Sequence, residues 1–125
     1  MVHARTAAFV TLVLLVGVAR AVAADVTGTW KASFDTQIGQ QNYTYTFAVK
    51  GTTLTGTAES EMGGKSDIID GKVDGDKISF VEVFKFDGME IRITYTGQAS
   101  SADEIKFSRQ VADFATEALV AKRVK

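Results

Sequence analysis

Apolar and polar residues alternate along most of the chain from Val26 onward, and turn residues recur roughly every 8 to 12 positions. Successive side chains of a β-strand point to opposite faces, so this alternation gives each strand one apolar and one polar face. Regularly spaced short strands are typical of a β-sandwich or a β-barrel. The pattern therefore predicts an all-β fold.

The pattern predicts eight strands. In the first, Trp30 and Phe34 share one face, and Lys31 and Ser33 lie on the other. The remaining strands show the same alternation with different strength. The eight segments are residues 26–36, 41–50, 53–60, 66–73, 77–86, 89–99, 104–111 and 117–124.

The most specific turn signal is the Asp-Gly pair at residues 87–88, between the fifth and sixth strands. A two-residue hairpin loop of this kind needs positive φ at both positions, which Asp and Gly tolerate better than most residues. The turn fixes the register of the two strands. It places Lys85 opposite Glu90, and Glu82 opposite Ile93.

Two parts of the pattern are ambiguous. The third and fourth segments contain fewer apolar residues than the others and are separated by EMGGK at residues 61–65, so we expect an edge of the sheet or a mobile flap there. The last segment has a local alternative, because Ala, Glu, Leu and Lys favour a helix over residues 113–122. We expect a strand instead, since a meander of seven strands would leave the first strand unpaired.

The short connections leave no room for the crossover helices that parallel strands require. An eight-stranded antiparallel meander removes both of its edges when the last strand pairs with the first. The interior of such a barrel is filled by side chains or holds one small ligand. We therefore expect an eight-stranded up-and-down β-barrel of lipocalin-like architecture.

The first residues predict an export signal. A positively charged start is followed by an uncharged apolar run over residues 7–19, which is shorter than the roughly 20 residues needed to span a bilayer. Small residues at 21–24 suit a signal peptidase, so we expect cleavage near Ala23 or Ala24. Residues 1–24 are then a signal peptide, and residues 25–125 form one secreted or periplasmic domain without a membrane span.

Cleavage changes the chemistry that is available. It removes His3, the only histidine, from a chain that has no cysteine, so thiol nucleophiles, Ser-His triads and the usual zinc sites are excluded. It also removes Arg5 and Arg20, leaving 12 basic and 15 acidic residues and a net charge of about −3, which disfavours nucleic acid. No glycine-rich phosphate-binding motif occurs. We expect no cofactor and no metal.

Gly28-Thr29-Trp30, together with Arg123 on the last predicted strand, resembles the pattern of the calycins, which include lipocalins and avidin-like proteins. In that superfamily the tryptophan closes one end of the barrel and packs against an arginine from the final strand. The resemblance implies a structural role for Trp30 and Arg123, with a cation–π contact between them.

Two longer segments resemble small exported domains of environmental bacteria, some of which are labelled as xylanases or other carbohydrate-active proteins. These segments are FDTQIG at residues 34–39 and ATEALVAKRVK at residues 115–125. The resemblance implies a carbohydrate-active enzyme or accessory domain as an alternative function.

Glu82 and Arg109 are the candidate polar pair of the interior. If the hairpin after the sixth strand turns through residues 100–102, Ile93 lies opposite Arg109. Glu82 and Arg109 then point to the same side of the sheet, two strands or about 9.6 Å apart. They would form an ion pair that ties three strands together, or a polar contact for a ligand inside the barrel.

Tyrosines are the candidate ligand contacts. Tyr43 and Tyr45 share a face, and Tyr95 shares the face of Glu82 and its neighbours. If they are exposed at a barrel mouth, such rings would stack on sugars; if they are buried, they would belong to the core.

A set of acidic residues near residues 63–64 is expected to be a solvated rim rather than a calcium site. It consists of Glu59, Glu61, Asp67 and Asp70.

We expect a non-enzymatic barrel that binds a small apolar or amphipathic ligand, or a carbohydrate. The alternative is a glycoside hydrolase that uses carboxylates, in which Glu82 is the residue to test. An arginine beside Glu82 would lower its pKa and prevent it from acting as an acid. A third hypothesis is an envelope or matrix protein whose loops bind a partner chain.

Overall fold

The computed structural model describes residues 24–125, so the predicted signal peptide lies, except for its last residue, outside the described residues. The described chain consists of eight strands and contains no helix. The strands are β1 (Gly28–Thr36), β2 (Gly39–Lys50), β3 (Thr53–Ser60), β4 (Gly64–Asp74), β5 (Lys77–Phe86), β6 (Met89–Ser101), β7 (Glu104–Val111) and β8 (Ala115–Arg123).

The strands form a closed antiparallel barrel in chain order, in which β8 pairs with β1. This confirms the predicted eight-stranded up-and-down architecture. We call the end with the β1–β2, β3–β4, β5–β6 and β7–β8 connections the mouth. The opposite end, with the β2–β3, β4–β5 and β6–β7 turns, is the floor.

The hairpin register predicted for β5 and β6 is confirmed. Lys85 lies opposite Glu90, and Glu82 lies opposite Ile93. The loop residues Asp87 and Gly88 have φ values of 52° and 77°, the positive values that this turn requires. Glu82 is therefore fixed on the interior face of β5 by local sequence.

The register predicted for β6 and β7 is wrong by two residues. Tyr95, not Ile93, lies opposite Arg109, and Ile93 lies opposite Val111. The strand continues to Ser101, which pairs with Glu104 across a register shift after Ala99. Because side chains alternate with a period of two, a shift of two residues leaves Arg109 on the predicted interior face.

Strands β3 and β4 are not an edge, because each pairs with a strand on both sides. Their weak alternation has a different cause. The register shifts between Leu54 and Thr57 and again between Ile69 and Lys72. Bulges of this kind interrupt the period of two and reduce the number of interior side chains on each strand.

The last segment is a strand, and the helix over residues 113–122 does not form. Leu119 and Ala121 point into the barrel and are buried. The strand pairs with β7 along its length and with β1 at Trp30 and Lys31. This double pairing outweighs the helical preference of the segment, because it satisfies backbone groups on both neighbouring strands.

Trp30 and Arg123 meet near the floor. Trp30 is fully buried, and the Arg123 guanidinium lies 4.5 Å from its ring centroid. The indole N–H donates to the carbonyl of Val26 at 2.9 Å. Arg123 also donates to the carbonyls of Thr27 at 2.7 Å and Asp25 at 3.0 Å. The pair thus anchors the segment before β1 across the end of the barrel.

Gly56, beside the first of the two register shifts, allows close contact between β3 and β2. A Cβ atom at Gly56 would lie 1.8 Å from the carbonyl oxygen of Thr46, and its φ is 148°. At Gly51 φ is 65°, but a Cβ atom would meet nothing within 4 Å.

We expect Gly56→Ala to lower the free energy of unfolding by clearly more than Gly51→Ala does. At Gly51 the only cost is left-handed backbone strain, roughly 1–2 kcal/mol. Urea denaturation of both variants measures this, and equal losses would contradict it.

Candidate functional site

Tyr43 and Tyr45 belong to a stack of rings inside the barrel. Tyr43 stacks on Phe34 and on Tyr45 at centroid distances of 5.5 and 5.3 Å, and Tyr45 stacks on Phe47 at 5.9 Å. Tyr43 and Tyr45 are 1% and 0% exposed, and Tyr95 is also fully buried. The three tyrosines therefore offer no exposed surface for sugar rings; they are core residues with a polar end.

The hydroxyl groups of Tyr43 and Tyr95 meet at the Glu82 carboxylate, and that of Tyr45 bonds Tyr95. Tyr43 donates to Oε2 at 2.8 Å, and Tyr95 donates to Oε1 at 2.7 Å. Tyr45 and Tyr95 share a hydrogen bond of 2.9 Å. Since Tyr95 gives its one proton to Glu82, Tyr45 is the donor in that bond. We call Glu82, Arg109 and these three tyrosines the Glu82 cluster.

Arg109 completes the cluster from β7. Its Nε donates to the Tyr95 oxygen and its Nη2 to the Tyr43 oxygen, both at 2.8 Å. Its Nη2 lies 3.8 Å from Glu82 Oε1, and the side chains of Arg109 and Glu82 are each 2% exposed. The structure thus joins the two residues that the sequence predicted to share a face, mainly through the tyrosines between them.

The direction of these hydrogen bonds favours an ionised Glu82. The hydroxyl oxygens of Tyr43 and Tyr95 each accept a hydrogen bond from Arg109, and each hydroxyl donates its own hydrogen to the carboxylate. A proton on Glu82 would have to point at one of those tyrosine oxygens, whose own proton would then lose its acceptor. The cluster therefore stores one buried negative charge beside one buried positive charge.

Glu117 is a further member of the site that the sequence analysis missed. It lies on β8 directly opposite Arg109, and its Oε1 accepts a hydrogen bond from Arg109 Nη1. Its side chain is 11% exposed. Counting the β7–β8 hairpin from a turn at residues 112–114 gives this pairing, but the prediction began the last strand at Glu117 and set no register for it.

Burial controls the ionisation of the cluster. Burial raises the pKa of Glu82, and the hydrogen bond from Tyr95 and the charge of Arg109 offset only part of this increase. Arg109 lowers this pKa, as the sequence predicted, but the net pKa is nevertheless raised, because the cost of removing the carboxylate from water is larger. Burial also raises the pKa values of Tyr43, Tyr45 and Tyr95, so all three remain protonated donors at neutral pH.

The raised pKa of Glu82 predicts a pH dependence of stability. A carboxyl group with a raised folded-state pKa favours folding below its unfolded value near 4.5, and this contribution is lost as pH rises through the folded value. The free energy of unfolding of Glu82→Gln should therefore improve relative to the wild type as pH rises from about 4.5 to 7. Urea denaturation across this range measures the difference.

The control for this experiment is Glu104→Gln. The hydrogen bond from Lys122 lowers the pKa of the half-buried Glu104, so its contribution is present above the unfolded value near 4.5 and is lost as pH falls through the folded value. The Glu104→Gln difference should therefore change with pH in the opposite direction and mainly below about 4.5, so the series for this control extends to lower pH. A Glu82→Gln difference with the same sign as the control, or with no pH dependence, would contradict the raised pKa.

The Glu82 carboxylate is not accessible in this arrangement. Both of its oxygens accept hydrogen bonds within the barrel, and its side chain is 2% exposed.

The acidic residues that the sequence predicted to form a solvated rim lie on β3, on β4 and in the connection between them: Glu59, Glu61, Asp67 and Asp70. Across residues 24–125, no three carboxylates come together in a geometry that would hold a metal ion.

A pocket opens at the mouth, above the Glu82 cluster. Its volume is about 110 Å³. The apolar part of its lining consists of Ile38, Phe84, Ile91, Ile93, Val111, Phe114 and Ala115. The polar part consists of Thr36, Gln37, Gln41, Arg109 and Glu117. The pocket thus combines an apolar wall with one guanidinium and one carboxylate.

An apolar ring surrounds the mouth. It consists of one exposed large side chain from each of three connections, Ile38, Met62 and Phe114, and of Met89 at the start of β6; they are 45%, 46%, 61% and 58% exposed. The floor turns, at residues 51–52, 75–76 and 102–103, contain only small or polar residues. Large apolar side chains are also exposed away from the mouth, at Ile69, Val120 and Val124.

Comparisons with known proteins identify no relative of this chain: no family model, no curated protein sequence and no solved structure matches it. Within residues 24–125 there is no helix long and apolar enough to cross a membrane. Function is therefore inferred from the geometry of the barrel.

Proposed function

We propose that the protein is a secreted, non-enzymatic β-barrel that binds a small apolar or amphipathic ligand at its mouth. The observation that supports this most directly is the pocket, whose apolar wall is joined to the polar groups of Arg109 and Glu117. Ligand sites are typically apolar cavities with a few placed polar groups. The apolar ring extends this surface outward.

The size of the pocket limits the ligand. Its 110 Å³ is smaller than the roughly 150 Å³ of an engineered cavity that accepts benzene, and well below the 300–1,000 Å³ typical of drug-sized ligands. Below the pocket, the aromatic stack and the Glu82 cluster occupy the barrel. A short alkyl chain fits the pocket, and the rest of a larger ligand would lie among the residues of the apolar ring.

This proposal favours an apolar or amphipathic ligand over a carbohydrate, because the tyrosines are buried. It also includes a calycin-like ancestry, which the contact between Trp30 and Arg123 supports. A glycoside hydrolase is less well supported. Glu82 is enclosed by its tyrosine donors, and Glu117, the carboxylate that lines the pocket, is paired with Arg109.

Binding can be tested with 1-hexanol, an uncharged amphiphile whose chain suits the pocket. Titration followed by amide chemical shifts should give saturable changes at the mouth, around Val111 and Phe114, and none at the floor. Ile38→Ser combined with Phe114→Ser should weaken binding severalfold. Val120→Ser is the control, because Val120 is 40% exposed on the outside of β8. No saturable shifts, or shifts confined to the floor, would contradict the proposal.

Export is tested separately. The protein recovered from the periplasm or the medium of an expressing cell should begin at Ala24 or Asp25, as N-terminal sequencing would show. A protein that retains Met1 and stays with the cytoplasmic fraction would contradict secretion.

The apolar ring also favours a second candidate, contact with a partner protein through the mouth. In that case Ile38→Ser with Phe114→Ser would abolish capture of the partner and leave 1-hexanol binding at the pocket measurable. Light scattering coupled to size exclusion reports whether the partner is a second copy of the chain.

A further inference from the structure

We infer that the mouth selects amphipathic cations: ligands that carry one protonated amine on a short apolar body. This inference rests on the proposed function, because it assigns a charge to the ligand of the same pocket. Its basis is the distribution of charge at the base of the pocket and around the apolar ring.

At the base of the pocket the negative charge is easier to reach than the positive charge. One carboxylate, Glu117, and one guanidinium, Arg109, line the pocket, and Glu82, which is not part of the lining, lies close to Arg109 as a second carboxylate. Arg109 is 2% exposed and already donates to Tyr95, Tyr43 and Glu117. An anionic ligand would therefore have to displace Glu117 to reach Arg109.

Glu117 is the more accessible charge. Its side chain is 11% exposed against 2% for Arg109, and its hydrogen bond to Arg109 uses Oε1. Its Oε2 can accept a hydrogen bond from a ligand that enters the pocket. An ammonium group there would gain a charge-assisted hydrogen bond while its hydrocarbon chain lies against the apolar wall.

The four connections of the mouth contain acidic residues and no basic ones. Residues 37–38, 61–63, 87–88 and 112–114 include Glu61, Asp87 and Asp113 but no lysine or arginine. An approaching cation therefore meets a negative potential, which raises its association rate.

Bases near the mouth lie on strands, and two of them are paired. Lys85 lies 3.9 Å from Glu90, and Arg92 lies 3.5 Å from Asp70. Lys65, at the start of β4, adds one positive charge against the three acids of the connections. The net charge of the connections and these strand positions stays negative.

The test compares n-hexylamine, 1-hexanol and hexanoate at pH 7 and low ionic strength, by the same chemical-shift titration. The three probes share one hydrocarbon chain and differ only in the head group. We expect the amine to bind at least about tenfold more tightly than hexanoate, with 1-hexanol between them, and added salt to reduce the difference.

Glu117→Gln should remove the advantage of the amine over 1-hexanol. Glu104→Gln makes the same change in net charge at the floor end of β7 and should preserve the advantage. If Glu117→Gln does not fold, Asp87→Asn with Asp113→Asn changes only exposed positions and should reduce the advantage severalfold.

The outcomes separate the two proposals. If none of the three probes binds, the proposed function fails. If all three bind equally, or hexanoate binds best, the preference for cations fails and a ligand-binding mouth stands. An amine advantage that Glu117→Gln and Asp87→Asn with Asp113→Asn both leave unchanged would also overturn the inference.

Discussion

Replacing Arg109 with methionine should cost about 3–5 kcal/mol of the free energy of unfolding at pH 7, because the change leaves buried carboxylates without their partner. Arg109 neutralises Glu82 through two tyrosine hydroxyls and binds Glu117 directly. Methionine fills a similar length but provides no donor. Urea denaturation of the wild type and the Arg109→Met variant measures the loss.

Arg92→Met is the matched control. Arg92 lies on the neighbouring strand and pairs with Asp70, but both side chains are more than half exposed, at 61% and 71%. Exposed pairs contribute about 0–1 kcal/mol. Equal losses in the two variants would show that the Glu82 cluster has no special role in stability.

Protonation should reduce the cost of Arg109→Met. Burial already raises the pKa of Glu82, and loss of Arg109 removes one of the effects that oppose this increase. The protonated carboxyl is then the favoured buried form, so the cost is largest at pH 7 and decreases toward the unfolded pKa near 4.5. Addition of Glu82→Gln to Arg109→Met should recover part of the loss at pH 7.

Trp30→Ala should also cost about 3–5 kcal/mol, the range for removing a large buried aromatic side chain. Trp30 is fully buried and supports the Arg123 guanidinium on its ring. Its loss leaves a cavity near the floor and removes the surface on which Arg123 rests. Thermal or urea denaturation measures the effect.

Trp30→Phe retains an aromatic ring and should recover a large part of this loss. Val120→Ala, on the exposed outer face of β8, should change stability by no more than about 0.5 kcal/mol. A Trp30→Ala variant as stable as Val120→Ala would mean that other residues close the floor.

The architecture was predictable because local signals agree with it. Alternation assigns interior faces, and the Asp-Gly turn at residues 87–88 sets the register that places Glu82 inside. Closure follows from the strand count and the need to satisfy edges. The faces and the turn depend only on neighbouring residues, and closure needs only the number of strands, which is why the sequence was sufficient.

The rest of the site depends on geometry that local patterns do not encode. The β6–β7 hairpin turns at residues 102–103 instead of 100–102, and the bulge after Ala99 shifts the pairing back by one residue. Together these two differences displace β7 by two residues, and no turn signal announces either of them. Glu117 became visible only when β7 and β8 were paired. The apolar ring combines residues from four places that are far apart in sequence, so only the closed barrel brings them to the same end.

The seam between β1 and β8 gives the molecule an order of assembly. Every other strand pair is a hairpin with a short connection, whereas the seam joins Trp30 to Arg123 and Lys31 to Lys122 across nearly the whole described chain. Contacts between distant residues carry the largest loop-closure entropy. We therefore expect the hairpins to fold first and the barrel to close last. Trp30 would complete the floor when β8 pairs with β1.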